Sequence, residues 1–302
     1  MSVPAEATTA DSPPPRRRIP AVAVLLGFFN PVVCMCYVGR PLRAVGYVAL
    51  WVVVTTGIFL LARRGWWPAG ISWIPPLLAI SVLCMLDGYR IAERHEKGFT
   101  GPWYTTWPGL VAIGVAFAVV VILFRAFLFE PFRQPSASML PTLVEDDQFF
   151  VSKSAYRSAT PERGDIVVFR VPQTNVNYVK RVVGLPGDVV EYDGDARRLV
   201  INGAPASLEL IGAYDADPVY RLGRERLDDV EHAVLHMPRL QSAGGTFRVP
   251  DGHFFLLGDN RDNSQDSRFQ SVGYIPAENI IGKVFFIWWN TDIPTRAGIV
   301  PE

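Results

Sequence analysis

Long apolar runs are confined to the first 130 positions of this 302-residue chain. Four stretches, roughly 19–38, 44–62, 71–88 and 108–129, are each near the length a helix needs to cross a bilayer. They divide the chain into a disordered N-terminus at 1–18, a membrane domain at 19–129 with three or four apolar segments, and a β-rich domain at 130–302. The N-terminus is rich in Ala, Ser, Thr and Pro and ends in Arg16-Arg17-Arg18. The last domain is long enough to bury its own core.

Loop charges argue the orientation. The basic flanks are Arg16, Arg17 and Arg18; Arg40 and Arg43; Arg63 and Arg64; and Arg90, Arg94 and Lys97. With four crossings and an outside N-terminus, five of these fall on each side. If the first segment does not cross, eight face the cytoplasm and two face out, which obeys the positive-inside rule far better. Asn30-Pro31 interrupts that segment, and proline removes a helical hydrogen bond there. A re-entrant or interfacial first segment is the preferred expectation. Both arrangements place residues after 130 outside the cytoplasm. Trp66, Trp67, Trp73, Trp103, Tyr104 and Trp107 gather at segment ends, as an interfacial belt or as packing between helices. The basic flank of the first segment imitates a cleavable leader, but no convincing small-x-small site follows it and further apolar segments do.

Formal net charge is zero, so no global field favours nucleic acid. Cys34, Cys36 and Cys84 all lie in apolar segments, which excludes a disulfide-stapled C-terminal domain. Cys34-x-Cys36 has no companions at metal spacing and reads as packing. No metal or organic cofactor is expected.

After residue 145 short apolar or alternating runs appear: Gln148–Ser152, Asp165–Arg170, Tyr178–Gly184, Val189–Tyr192, Leu199–Ile201, Thr246–Val249, His253–Leu257 and Lys283–Trp288. Gly, Pro, Asn and Asp punctuate them, as in Ile201-Asn202-Gly203. The fold class is therefore N-terminal transmembrane α-helical segments followed by a mainly antiparallel β catalytic domain. Residues near 205–245 are more polar and less periodic, and read as an insertion outside the sheet.

The chemistry rests on a serine and a lysine 42 positions apart. Ser138 stands in a Pro-bounded loop, and a serine hydroxyl is a poor nucleophile until a base takes its proton. Histidine is the usual base. His95 falls in a loop on the expected cytoplasmic side, His253 in a turn, and His232 and His236 are spaced as on a solvated helical face. No Gly-x-Ser-x-Gly elbow is present. A neutral lysine can replace histidine, and burial among apolar neighbours favours the neutral form. On a strand, Lys180 shares a face with Tyr178 and Val182, while Arg181 points to the other face and stays solvated. From these residues alone, an exposed strand lysine and a turn serine beside proline are the commoner explanations.

Five ordered blocks alter that balance. They are the apolar anchor; Pro135-Ser136-Ala137-Ser138-Met139-Leu140-Pro141-Thr142-Leu143; Arg163-Gly164-Asp165-Ile166-Val167-Val168-Phe169; Lys180-Arg181-Val182-Val183-Gly184-Leu185-Pro186-Gly187-Asp188; and Gly258-Asp259-Asn260-Arg261-Asp262-Asn263-Ser264-Gln265-Asp266-Ser267-Arg268. Over about residues 108–290 the chain resembles the bacterial type I signal peptidases, a Ser/Lys serine endopeptidase family. The resemblance implies Ser138 as nucleophile and Lys180 as general base. It implies the Ser138 N–H and the Ser136 hydroxyl as an oxyanion hole, and Ser264 as a hydrogen-bonding orienter of Lys180. Asp266 and Arg268 would pair to hold the last loop, braced by Asp259, Arg261 and Asp262.

The implied substrate is the signal peptide of exported preproteins, bound as an added strand flanked by Gln134–Ser138 and Tyr178–Lys180. Phe132, Gln134, Pro135, Met139, Leu143, Tyr178 and Val179 would form shallow pockets that admit alanine. The implied setting is the bacterial inner membrane, multi-pass, with the catalytic domain outside the cytoplasm. The lipid bilayer and coupling to the secretion translocon are the further expected partners. Gln134 departs from the family's usual aliphatic residue, Ala137 from its frequent glycine, and Ile19–Glu96 exceeds its usual anchor. A self-cleaving repressor-type Ser/Lys protease and a relative that binds without cutting are the competing readings. The membrane segments weigh against the first, and intact Ser138, Lys180 and Ser264 against the second.

Overall fold

A computed structural model describes residues 17–68, 71, 74–94, 101–127, 129–238, 240 and 242–301. Of the disorder expected at 1–18, residues 1–16 lie outside the described residues, as do His95 and Trp73; Arg18 is instead buried and donates to Thr105 O at 2.9 Å. The chain divides into two compact units, a helical one ending at Ile122 and a β unit that takes the chain from Leu123 onward together with Leu61–Ile71.

The helical unit begins with α1 (Pro20–Phe29) and α2 (Pro31–Tyr37), separated at Asn30. The break has two local causes. Pro31 cannot donate to the helix before it, and the Asn30 side chain caps the next helix by accepting from Val32 N and Val33 N at 2.9 and 3.2 Å. Helices α3 (Pro41–Arg63), α4 (Ile74–Arg94) and α5 (Trp107–Phe127) follow. Among the described residues, α3 and α4 are long and apolar enough to cross a membrane by length and composition. Small residues let α1 and α4 approach closely: a Cβ on Gly27 would sit 3.1 Å from Met85 Cα. The three cysteines are buried and free. Arg43 of α3 pairs with Asp87 of α4 at 2.5 Å, and Tyr47 donates to the same carboxylate at 3.4 Å. That tie pairs charges a lipid-facing helix surface could not leave alone.

The β unit holds β1 (Phe129–Arg133), β2 (Gln148–Ser152), β3 (Ile166–Arg170), β4 (Asn177–Gly184), β5 (Val189–Asp193), β6 (Arg198–Ile201), β7 (Ala204–Pro205), β8 (Ser207–Ala213), β9 (Arg221–Leu227), β10 (Val230–His236), β11 (Gly245–Arg248), β12 (His253–Leu257), β13 (Ile275–Pro276) and β14 (Ile280–Trp289). The main sheet has seven strands in the order β1-β2-β14-β3-β4-β12-β13, all paired antiparallel. A four-stranded sheet runs β11-β5-β6-β7, and a three-stranded one β10-β9-β8. Asn202 and Gly203 both take positive φ, 52° and 80°, which closes the β6–β7 hairpin as an Asn-Gly turn should.

The region near 205–245 lies outside the main sheet and forms a sheet of its own, β8, β9 and β10, which buries Leu227, Val234 and Leu235. His232 and His236 are not on a solvated helix face: both lie on β10 and are buried. What holds them is polar. Glu225 of β9 is buried and receives Arg261 through two guanidinium nitrogens, one at 2.7 Å, while His232 Nε2 stands 3.4 Å from it. Burial opposes the charge on Glu225, but Arg261 and the hydrogen bond from His232 outweigh it and hold the carboxyl well below its usual range. Burial, then Arg261, pushes His236 down to about 4, so it stays neutral near pH 7.

This pair yields a stability test. Glu225→Ala leaves the Arg261 guanidinium buried without its carboxylate, and the expected loss is about 3–5 kcal/mol. Urea unfolding of the solubilised protein measures it; a loss under about 1 kcal/mol would show the pair to be dispensable.

Candidate active site

The site forms where the segment after β1, strand β4 and the loop after β12 converge. Ser138 lies in a 3-10 turn, Ala137–Met139. The turn is held from the far loop: Asn260 N donates to Ser138 O and Asn260 Nδ2 to Ala137 O, both at 3.1 Å. Gly258 permits that approach, because a Cβ there would stand 2.1 Å from Ser264 Oγ and 2.6 Å from Ser138 O.

Lys180 comes from β4 and is 4% exposed. Its Nζ lies 2.7 Å from Ser138 Oγ and donates to Val179 O at 2.9 Å. The Tyr178 ring is 5.6 Å from Nζ. Removal from water lowers the Lys180 pKa to about 8; Asp266 and Asp259 pull the other way, and Arg268 adds to the lowering. The strand alternation expected for β4 holds for Lys180, Tyr178 and Val182.

Arg181 does not stay solvated. It is fully buried, gripping Asp259 through Nε and Nη2 at 2.8 and 2.7 Å and donating to Gly164 O at 2.7 Å. Alternation placed it on the other face of the strand, but that face carries a second core with a carboxylate in it. Burial opposes ionisation of Asp259 and Arg181 outweighs it, so its pKa is lowered. Thr142 also donates to Asp259, at 2.5 Å.

The other expected residues fall as follows. Ser136 Oγ donates to Ser138 Oγ at 3.2 Å. Asp266 and Arg268 pair at 2.8 Å with both side chains buried. Asp262 accepts from Met237 N at 2.6 Å and lies 3.5 Å from Arg197. Ser264 is brought to the site, but its buried hydroxyl has no hydrogen-bond partner among the described residues, so the expected bond to Lys180 is not formed. Phe132, Gln134, Pro135, Tyr178 and Val179 line a cleft of about 390 Å³ with Ser136, Ser138 and Lys180. Met139 and Leu143 do not. Both are fully buried in the core with Phe149 and Val168.

Sequence reasoning missed Glu225, Asn260 and Thr142. Asn260 and Thr142 stand inside quoted blocks without a chemical signature of their own. Glu225 carries a weak one, since period two places it on a face with Gly223 and Leu227, both buried. Among the described residues no His, Cys, Asp or Glu cluster could hold a metal ion.

A buried amine against a serine hydroxyl, reached through a cleft, defines a serine hydrolase with an amine base in place of imidazole. Comparison with known proteins specifies more. Residues 107–289 match the family model "Signal peptidase, peptidase S26". A signal peptidase I of Pseudomonas fluorescens is 42% identical over 214 residues, covering 62% of this chain and 75% of the relative. One from Pseudomonas aeruginosa is 37% identical, covering 64% and 77%, and one from Rickettsia typhi 34%, covering 58% and 77%. The chain belongs to the signal peptidase family, peptidase S26, whose members are serine peptidases.

The amine offers a direct measurement. Lys180 should titrate near 8, against about 10.4 for an unperturbed lysine, when followed by NMR of labelled lysine in detergent. An unshifted lysine would mean that the side chain is solvated.

Proposed function

We propose that this chain is a membrane-bound serine endopeptidase that removes N-terminal signal peptides from exported preproteins. The observation that carries the reading is the Lys180 amine, buried, depressed to about 8 and 2.7 Å from the Ser138 hydroxyl inside a cleft. A neutral Lys180 takes the proton as Ser138 Oγ attacks the scissile carbonyl. The Ser138 N–H and the Ser136 hydroxyl receive the developing oxyanion. Lys180 then protonates the leaving amine, and the acyl-enzyme is hydrolysed by water with Lys180 again as base.

Backbone supply agrees with a substrate bound as a strand. On the edge away from β3, β4 pairs with β12 only from Arg181 onward, which leaves Tyr178–Lys180 open on that side. Phe132, Val168 and Val179 give the cleft an apolar lining that suits a small side chain such as alanine. The catalytic domain works outside the cytoplasm at the bacterial inner membrane, where the bilayer already holds the apolar part of the substrate close to the translocon.

Cleavage of a preprotein ending in Ala-x-Ala by the detergent-solubilised protein tests the reading. Ser138→Ala should lower turnover at least about a thousandfold. Lys180→Arg should do the same although charge is kept, because guanidinium cannot act as a base; near-wild-type turnover in that variant would refute the assignment. Since the neutral amine is the active form, kcat/KM should fall as pH drops below about 8, by about tenfold per unit. A reporter fused after Glu302 should appear outside the cytoplasm, and a cytoplasmic signal would overturn the membrane arrangement.

A further inference from the structure

Gln134 is a carboxamide on a cleft wall that also includes Phe132, Val168 and Val179. The residue is 2% exposed. Its backbone is fully used on the side away from the cleft: its N–H donates to Asp147 O at 2.8 Å, and its carbonyl accepts from Asp146 N at 2.9 Å. Only the side chain remains to meet a ligand.

That side chain has a fixed orientation. Nε2 donates to Ser136 O at 2.8 Å. A carbonyl partner accepts only from the nitrogen, which settles which end of the amide faces Ser136. Oε1 is therefore turned away from Ser136, and it has no partner among the described residues. Oε1 keeps a little solvent exposure, on a residue that lines the cleft.

An acceptor left dry and unpaired when a substrate enters is costly, whereas one met by a donor is not. In an extended substrate the residues one and three before the cleaved bond share a face, roughly 7 Å apart. Ser138 and Lys180 hold the bond itself, and Gln134 precedes Ser138 by four positions on the segment read above as flanking the substrate. We infer that Gln134 is a specificity-determining residue that makes this cleft prefer a hydroxyl-bearing side chain, serine or threonine, over an apolar one of the same shape three residues before the cut. This rests on the signal-peptide-cleaving reading above and narrows its substrate class.

Threonine and valine differ only by a hydroxyl in place of a methyl, so they isolate the effect. Preprotein substrates ending in Ala-x-Ala, Thr-x-Ala and Val-x-Ala are compared by kcat/KM in the wild-type protein and in Gln134→Met, which keeps length and removes the acceptor. The wild-type protein should favour Thr-x-Ala over Val-x-Ala by about tenfold, the worth of one neutral hydrogen bond to a buried acceptor. In Gln134→Met the ratio should fall to about one or invert, whatever happens to the absolute rates. The wild-type arm needs no variant to fold: if Ala-x-Ala is cleaved and Thr-x-Ala does no better than Val-x-Ala, this inference alone is overturned. An equal loss for all three substrates in Gln134→Met would overturn it too, by assigning Oε1 to the substrate backbone. If the wild-type protein cleaves none of the three, the reading beneath fails and the inference falls with it.

Discussion

The Arg181–Asp259 ion pair ties the site together. Both residues are completely buried, and each charge out of water is costly by several kcal/mol unless the other is present in good geometry. The pair joins β4 to the loop that follows β12, and through Thr142 it also joins the segment just beyond Ser138. Nucleophile, base and bracing loop thus share one electrostatic anchor. Adjacent residues on the same strand meet opposite fates because of it. Arg181 has a carboxylate in contact and is buried as an ion. Lys180 hydrogen-bonds only to a hydroxyl and a carbonyl, so burial drives its pKa down. The two carboxylates that favour its charged form are each held by an arginine, Asp266 by Arg268 and Asp259 by Arg181.

A second anchor stands behind the first. Arg261 reaches out of the same loop to Glu225, and Asp262 receives the N–H of Met237, so the three-stranded sheet holds the loop from outside the main sheet. Backbone bonds reinforce it, with Leu235 N donating to Asp259 O at 2.8 Å and Arg261 N to Leu235 O at 2.9 Å. A region that looks peripheral along the chain is what keeps the charge-rich loop in one conformation.

Much of the β domain was legible in the sequence because its strands carry β-branched residues between clear turn signals. Gln148–Ser152 and His253–Leu257 coincide with β2 and β12. The break at Asn30-Pro31 was legible for the same local reason. What was illegible is long-range. Alternation tells which face a strand residue takes but not whether that face meets water, so Arg181 and both β10 histidines were placed in solvent. Spacing of four between His232 and His236 suits a helix, yet on a strand it puts both on one face just as well. Met139 and Leu143 belong to the block whose family resemblance implies pocket walls, yet both close into the core with Phe149. The partner of Arg261 could not be named, since Glu225 is 36 positions away and its strand is studded with other charges.

Strand order has a consequence for how the protein comes into being. In the main sheet β14, nearly the last segment of the chain, lies between β2 and β3. Ribosomes deliver the chain N-terminus first. Until that strand emerges, no strand joins the half-sheet leading to Ser138 to the half-sheet bearing Lys180. Contacts this distant in sequence form late and slowly. The sheet that carries the serine and the lysine is thereby left incomplete until β14 has joined it.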